Sequence, residues 1–312
     1  MPDVLTLGEA MAALRADRPL HLGGTLALSV AGAEANVSIG LARLGHTARW
    51  VGVNGDDEFG RLVLRTLRAE GVDVSQAAVE ATAPTGLVVF EPRAADLTRV
   101  SYYRDGSAGS RLTPAHVTAA LAEGARIVHL TGVTAALGPG PRAAVEAAAR
   151  SASGAVCLDV NYRAKLWSRE EAAAALRPLV PLLDILVASD DELALVAPPG
   201  VEHEVECVEA LLDQGVGEVV VKRGAAGAEV FTEDGSVARP AVRVPVRDAV
   251  GAGDAFVAGY LSGLLDGLPV DGRLDRAVTT GAFAVAAAGD WEGLPFRDEL
   301  TLLDAAPGTA LR

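Results

Sequence analysis

Aromatic residues make up only 4% of this 312-residue chain, and it has two cysteines. With so few aromatic rings, the core has to be assembled from Ala, Val and Leu, which dominate a hydrophobic content of 50%. Cys157 lies in the apolar run GAVCLDV and reads as a reduced core residue. With Cys207 as its only companion, there is neither a disulfide framework nor a zinc-ligand spacing. Positive charge is also scarce. Against 41 Asp and Glu stand 27 Lys and Arg, a net charge of −14, which argues against nucleic acid as a partner. A small anionic ligand is not excluded, because a local basic pocket can hold one inside an acidic protein. No apolar run approaches the length of a membrane span. The opening stretch MPDVLTLGEAM enters a strand pattern directly, without a basic start and a long apolar region, so the expectation is a soluble, cytoplasmic chain. Asn36-Val37-Ser38 fits a glycosylation sequon but carries no weight without an export signal.

What is present is an alternation of short apolar runs with Ala-rich helical stretches. Strands are expected at 4–7, 48–53, 127–130, 155–160, 184–189 and 218–223. Helices are expected at 34–44, 58–70, 139–152, 169–181, 190–196 and 205–213. Continuous apolar strands separated by helices indicate a mostly parallel sheet covered on both faces. Residues 11–31 and 84–104 break this rhythm. TGLVVFEP and TRVSYYR read as a hairpin across RAADL, and TLALSV can pair with them, which predicts a small antiparallel sheet outside the main one. The last third is helical again, at 253–265, 273–289 and 298–304. There is no internal repeat.

Two glycine-bearing segments carry chemistry. In DAVGAGDAF (248–256), Gly251 and Gly253 let the backbone turn with its N–H groups aligned, and a helix starts near Asp254. Exposed N–H groups at a helix start, reinforced by the helix dipole, favour an anion such as phosphate. Asp254 fits two roles: an N-cap, or a base that takes the proton from a hydroxyl attacking phosphorus. Other phosphate motifs fail. The first strand meets only Gly8 rather than G-x-G-x-x-G, and no Walker A loop occurs. In VAGAEANVSIGLARLG (30–45), Gly32 opens a turn into a helix whose first turn carries Glu34 and Asn36. Both can face a ligand there, although an acid in a first turn is ordinarily explained by the dipole alone.

AGAEANVSIGLARLG near the start together with DAVGAGDAFVAGYL near the end resembles the ribokinase, or PfkB, family of carbohydrate kinases, over essentially the full length. The resemblance implies a single ribokinase-like three-layer α/β/α domain with a small β lid formed by about 11–31 and 84–104. It also implies ATP with Mg²⁺ as cofactors; the exposed edges and apolar patch of a small sheet further lead us to expect a homo-oligomer paired through the lid. Four stretches, YYRDGSAGS, HLTGVTAAL, LDVNYRAKLWS and GDWEGLPFRDEL, are most similar to the branch acting on 2-keto-3-deoxygluconate.

On that resemblance Asp254 is the catalytic base, with Gly251, Ala252 and Gly253 forming the anion hole. Gly32, Glu34, Asn36 and Asp290 contact the sugar. Arg104 and Arg163 read its carboxylate, bordered by Tyr102 or Tyr103. Asn161, Tyr162, Ser189, Lys222, Arg223, Gly224 and Gly227 are assigned to the nucleotide. An arginine fork suits a carboxylate, and both arginines lie near ends of expected strands, where ligands gather in open α/β sheets. An ordinary surface arginine and an ordinary hairpin turn at VKRGAAGAEV are the structural alternatives. Two departures stand out. Ser189 replaces the asparagine of the family's N-x-x-E motif, which leaves Glu192 an indirect link to magnesium. Val88 replaces a tyrosine found in that branch. Kinases of fructose, ribose or a nucleoside, a non-catalytic sugar-binding regulator and a nicotinamide dehydrogenase stay open as alternatives. The missing fingerprint weakens the last of these, and Asp254 argues against the regulator.

Overall fold

The computed structural model describes residues 1–94 and 97–304; part of the RAADL turn, Ala95 and Asp96, lies outside the described residues. Strands β1 (Val4–Leu7), β2 (Met11–Ala16) and β3 (Leu26–Ala31) precede helix α1 (Ala33–Arg43). Then come β4 (Ala48–Val51), β5 (Val53–Gly55), α2 (Glu58–Ala69), β6 (Ala78–Glu80), β7 (Leu87–Ala94) and β8 (Leu97–Tyr103). Alternation follows through α3 (Pro114–Glu123), β9 (Ile127–Thr131), α4 (Gly132–Ala136), α5 (Pro139–Ser151), β10 (Ala155–Asp159) and α6 (Arg169–Leu176). It continues with β11 (Ile185–Ser189), α7 (Leu193–Val196), α8 (Glu204–Asp213), β12 (Glu218–Lys222), β13 (Ala228–Thr232) and β14 (Gly235–Arg239). Helices α9 (Ala252–Leu265) and α10 (Val270–Ala286) close the ordered core.

The main sheet has eight strands in the order β4-β1-β9-β10-β11-β12-β13-β14. It is parallel up to β12 and antiparallel through the last two pairings. Its apolar runs are continuous because both faces are covered. Alternate residues point to opposite sides. Val4, Ile127, Cys157 and Val187 pack against α1, α9 and α10. Leu5, Val128, Leu158 and Leu186 pack against α3, α5, α6 and α8. The result is the expected α/β/α arrangement. Among the described residues no helix is long and apolar enough to cross a membrane.

The second expected sheet is also present, in the order β3-β2-β7-β8. It is mixed rather than purely antiparallel, since β2 and β7 run parallel. Met11, Ala13, Ala31, Val88 and Phe90 form its buried inner face, while Leu26, Leu28 and Tyr103 are exposed on the other.

Several boundaries differ from expectation. The run 48–53 breaks at Gly52 into β4 and β5, and β5 pairs with β6 in a separate two-stranded sheet. The helix expected over 169–181 ends at Leu176 and continues as a 3₁₀ turn over Arg177–Leu182, which contains Pro178 and Pro181. Proline has no N–H to extend the helical ladder. The helix expected over 190–196 is only α7: it ends where expected, but Asp190, Asp191 and Glu192 form a turn that precedes it, with the Glu192 side chain accepting the Ser189 N–H. The helix expected over 273–289 is α10, displaced to start just after Pro269. The stretch 298–304 forms 3₁₀ turns at Arg297–Glu299 and Leu302–Asp304.

Strand β1 lies between β4, which follows it early in the chain, and β9, where the sheet begins to grow in the other direction. At such a reversal the loops leaving the carboxyl ends of neighbouring strands diverge and open a crevice. The small sheet sits over that crevice.

Candidate active site

The crevice is a cavity of about 580 Å³. Its floor comes from the ends of β10, β11 and β12 and the starts of α1 and α9; its roof is the inner face of the small sheet. Asp254 occupies the first turn of α9. The loop before it requires glycine, because Gly251 has φ +75° and a Cβ there would overlap the carbonyl oxygen of Asp290. The Ala252 N–H reaches Ala249 O at 3.4 Å, and the Ala255 N–H is the first to close a helical bond, to Gly251 O at 2.9 Å. The N–H groups of Gly251, Gly253 and Asp254 make no backbone bond among the described residues. These orphan donors are what an anion needs at a helix start.

Two asparagines hold the Asp254 carboxylate. Asn36 Nδ2, from the first turn of α1, donates to Oδ2 at 2.8 Å. Asn161 Nδ2, from the loop after β10, approaches Oδ1 at 3.4 Å. Asn161 sits at φ +42°, a left-handed conformation that asparagine tolerates better than most residues. Burial pushes the Asp254 carboxyl up to about 6, against the pull of the Asn36 bond and of the Arg163 charge. A carboxylate with a pKa close to neutrality suits a general base.

The charges around the cleft are largely paired. Lys222 Nζ contacts both oxygens of Asp159 at 2.8 and 2.9 Å. Burial opposes the Lys222 charge, but Asp159 outweighs it and the pKa rises. Arg104 donates through Nε to Glu9 Oε2 at 2.7 Å, and its Nη2 contacts the same oxygen. Ser107 donates to the other oxygen of Glu9. Arg163 and Lys165, both exposed in the cleft, have no acidic partner among the described residues. An acidic protein thus keeps two uncompensated cations in its cavity.

Of the residues singled out in the sequence, Gly32, Asn36, Tyr102, Arg104, Asn161, Arg163, Ser189, Glu192, Lys222, Gly251, Gly253, Asp254 and Asp290 converge on this cavity. Others do not. Glu34 is fully buried behind the floor, where its carboxyl accepts from Thr131 and Thr134 rather than facing the cavity. Burial holds it at about 7. Tyr103 follows Tyr102 on β8 and so points to the outer face. Arg223 turns away from Lys222 for the same reason, pairing with Glu204 and Glu229. Gly224 is not among the cavity-lining residues. Gly227, at φ +106°, lets the β13 turn pass close to the Arg239 carbonyl. The Tyr162 side chain packs on the core and donates to Trp167 O at 3.1 Å. Ala252 is held within the first turn of α9, outside the lining.

Glu192 fits a strut better than a direct metal ligand. Its two oxygens accept the N–H groups of Tyr162 at 2.6 Å and Ser189 at 2.8 Å. A magnesium ion, which dehydrates reluctantly, would be held here by nucleotide phosphates and its own waters.

Sequence reasoning missed Glu9, Arg15, Asp159, Lys165 and Asp248. Glu9 had a signal, since it directly follows the first strand, at the carboxyl edge where ligands gather. Arg15 had none, because its partners Asp248 and Asp290 are more than two hundred residues away in sequence.

Comparison with known proteins agrees with this geometry. A family model described as pfkB family carbohydrate kinase matches residues 1–297. A 2-dehydro-3-deoxygluconokinase of Thermoproteus tenax is 38% identical over 95% of this chain and 92% of its own length. A 2-dehydro-3-deoxygluconokinase of Bacillus subtilis (strain 168) is 34% identical over 98% of this chain and 97% of its own. The crystal structure of a PfkB protein from Polaromonas sp. JS666 superposes with a TM-score of 0.85 at 36% identity, covering 96% of this chain and 99% of that one.

Carboxyl ¹³C NMR should show Asp254 titrating near pH 6 in the free protein. Arg163→Gln removes a cation that favours the ionised form, so the midpoint should move upward. A midpoint near 3.8, the ordinary value for an aspartate, would contradict the buried, partly desolvated site.

Proposed function

The chain belongs to the pfkB family of carbohydrate kinases, and from that premise we propose that it is an ATP-dependent sugar-acid kinase. In this reading it phosphorylates the terminal hydroxyl of 2-keto-3-deoxygluconate to give the 6-phosphate. The observation that carries the substrate class is Arg163, a guanidinium in the cavity without an acidic partner and close enough to Asp254 to lower its pKa. A sugar acid supplies the missing anion; a neutral hexose does not. The roof supports the same choice. Met11, Val88, Phe90 and Val100 present hydrocarbon to the cavity, which suits a substrate with a deoxy carbon. Val88, where related enzymes of this branch carry tyrosine, adds to that apolar face.

The chemistry follows from the geometry. The sugar acid lies between the small sheet and the strand ends, its carboxylate on Arg163 and on the face of Arg104 left open by Glu9. Asn36 and Asp290 are placed to bond its hydroxyls. Asp254 takes the proton from the terminal hydroxyl as that oxygen attacks the γ-phosphorus and the bond to the departing ADP breaks. The unbonded N–H groups of Gly251, Gly253 and Asp254 stabilise negative charge on the transferring group. Asn161, Ser189 and Lys222 border the nucleotide side, and magnesium bound to ATP neutralises its phosphates. The two sheets act as one catalytic domain with a lid, whose closure excludes water from the transfer.

The outer face of the lid exposes Leu26 at 46% and Leu28 at 52%. A second copy of the chain covering this patch would account for it. We place the enzyme in the cytoplasm, where ATP is available.

Arg163→Gln and Arg104→Gln should each raise the KM for the sugar acid roughly tenfold or more while leaving that for ATP near wild type, since a charged hydrogen bond contributes about 1.5–3 kcal/mol. An unchanged sugar-acid KM in both variants would favour a neutral sugar.

The substrate is tested by competition. Equal concentrations of 2-keto-3-deoxygluconate, fructose and ribose with limiting ATP should yield mainly the phosphorylated sugar acid, as read by mass. Arg104 is already paired with Glu9, so the cost of an empty anion site falls on Arg163. A site built for a polar group still rejects analogues that lack it. Predominant fructose or ribose phosphate would keep the family and overturn the substrate.

A further inference from the structure

Arg15 projects from the inner face of the small sheet and touches the main body at two points. Its Nη1 meets Asp248 Oδ2 at 2.7 Å and its Nη2 meets Asp290 Oδ2 at 2.8 Å. The guanidinium lies over the Phe90 ring, 4.1 Å from its centre, so it is clamped from the sheet side as well. The two acids flank the glycine loop. Asp248 lies three residues before Gly251, and its Oδ1 accepts the Val250 N–H at 3.1 Å, which fixes the entry into the loop. The Asp290 backbone is packed against Gly251 so closely that no side chain fits between them. Asp290 itself is strongly buried, and burial lifts its carboxyl to about 7 although the Arg15 charge pulls it down. Without Arg15 two carboxylates would face each other across the loop.

We propose that Arg15 is a positioning residue that couples the small sheet to the anion-binding loop, by holding Asp248 and Asp290 on either side of residues 251–253 against β2. The proposal rests on reading that loop as the phosphoryl site. Arg15 touches neither reactant; it acts through the two acids. Placement of the small sheet over the substrate and placement of the loop's N–H groups then become one event. A misplacement of about 1 Å at such a site can cost on the order of a hundredfold in rate.

Arg15→Met keeps the hydrocarbon against Phe90 and removes both ion pairs. It should lower kcat about tenfold or more at saturating ATP and sugar acid. Asp248→Asn should lower it as well, and the double variant should be no slower than Arg15→Met within about twofold, because both changes break one bridge. Arg15→Lys, which can reach one acid, should recover part of the rate. Hydrogen exchange supplies a readout independent of turnover. In Arg15→Met, the bonded amides of Asp248, Val250 and Ala252 should exchange faster together with those of β2 and β3. A kcat within twofold of wild type, losses that multiply in the double variant, or faster exchange confined to β2 and β3 would each overturn the proposal. If the wild-type protein phosphorylates no sugar, the kinase reading fails, and the exchange pattern alone decides whether Arg15 couples the two regions.

Discussion

The arrangement turns on a single buried carboxylate at the start of a helix. Asp254 is 8% exposed, and its ionised form is costly there unless neighbours hold it. Those neighbours come from two distant parts of the chain and from its own loop. Asn36 heads α1, Asn161 follows β10 in a left-handed conformation, and the loop of α9 turns only because Gly251 can. Asn161 leaves the carboxyl end of a parallel strand, whereas α1 follows β3 of the small sheet and the α9 loop follows the edge strand β14. The two glycines and the asparagine in its left-handed conformation have one consequence in common: a carboxylate whose pKa is raised to about 6, beside a set of unbonded N–H groups.

The electrostatics follow the same economy. The protein carries a net charge of −14 yet must receive a polyanion, ATP, and a singly charged sugar acid in one cavity. Its solution is local pairing. Asp159 neutralises Lys222 beneath the loop, Glu9 neutralises Arg104 at the edge of the roof, and Arg15 sits between Asp248 and Asp290. Paired cations can be buried at modest cost, whereas unpaired ones cannot. Arg163 and Lys165 stay uncompensated because they remain exposed at the rim until an anion arrives. Selection for a carboxylate therefore rests on few groups.

Much of this was legible in the sequence, for physical reasons that particular residues make plain. Strands such as Ile185–Ser189 and Glu218–Lys222 are apolar runs with no polar alternation inside them, which a sheet covered on both faces explains. Asp254 was legible because the two glycines and the acid lie side by side. What escaped depends on the third dimension. Arg223 was grouped with Lys222, yet a single residue step on a strand reverses the face, and it joins Glu204 and Glu229 instead. Glu34 was placed on the sugar because it opens a helix, but its side chain turns back to Thr131 and Thr134. The antiparallel strand Gly235–Arg239 was missed because an edge strand of five residues with a half-exposed pattern carries little periodicity. Arg15 and Glu9 draw their meaning from partners that only the folded chain brings close.

The role of Asp254 as the base is the claim on which the functional account stands, and the most direct measurement is phosphoryl transfer by Asp254→Asn. The amide keeps the size of the side chain and can still accept from Asn36 through its oxygen, giving up only the longer approach of Asn161, but it cannot take a proton. With ATP and the sugar acid saturating, the account predicts a rate lower by on the order of 10²–10⁴, with the thermal transition and ATP affinity close to wild type. A purified, folded variant that retains near-normal kcat would show that Asp254 only caps the helix, and the mechanism would be wrong.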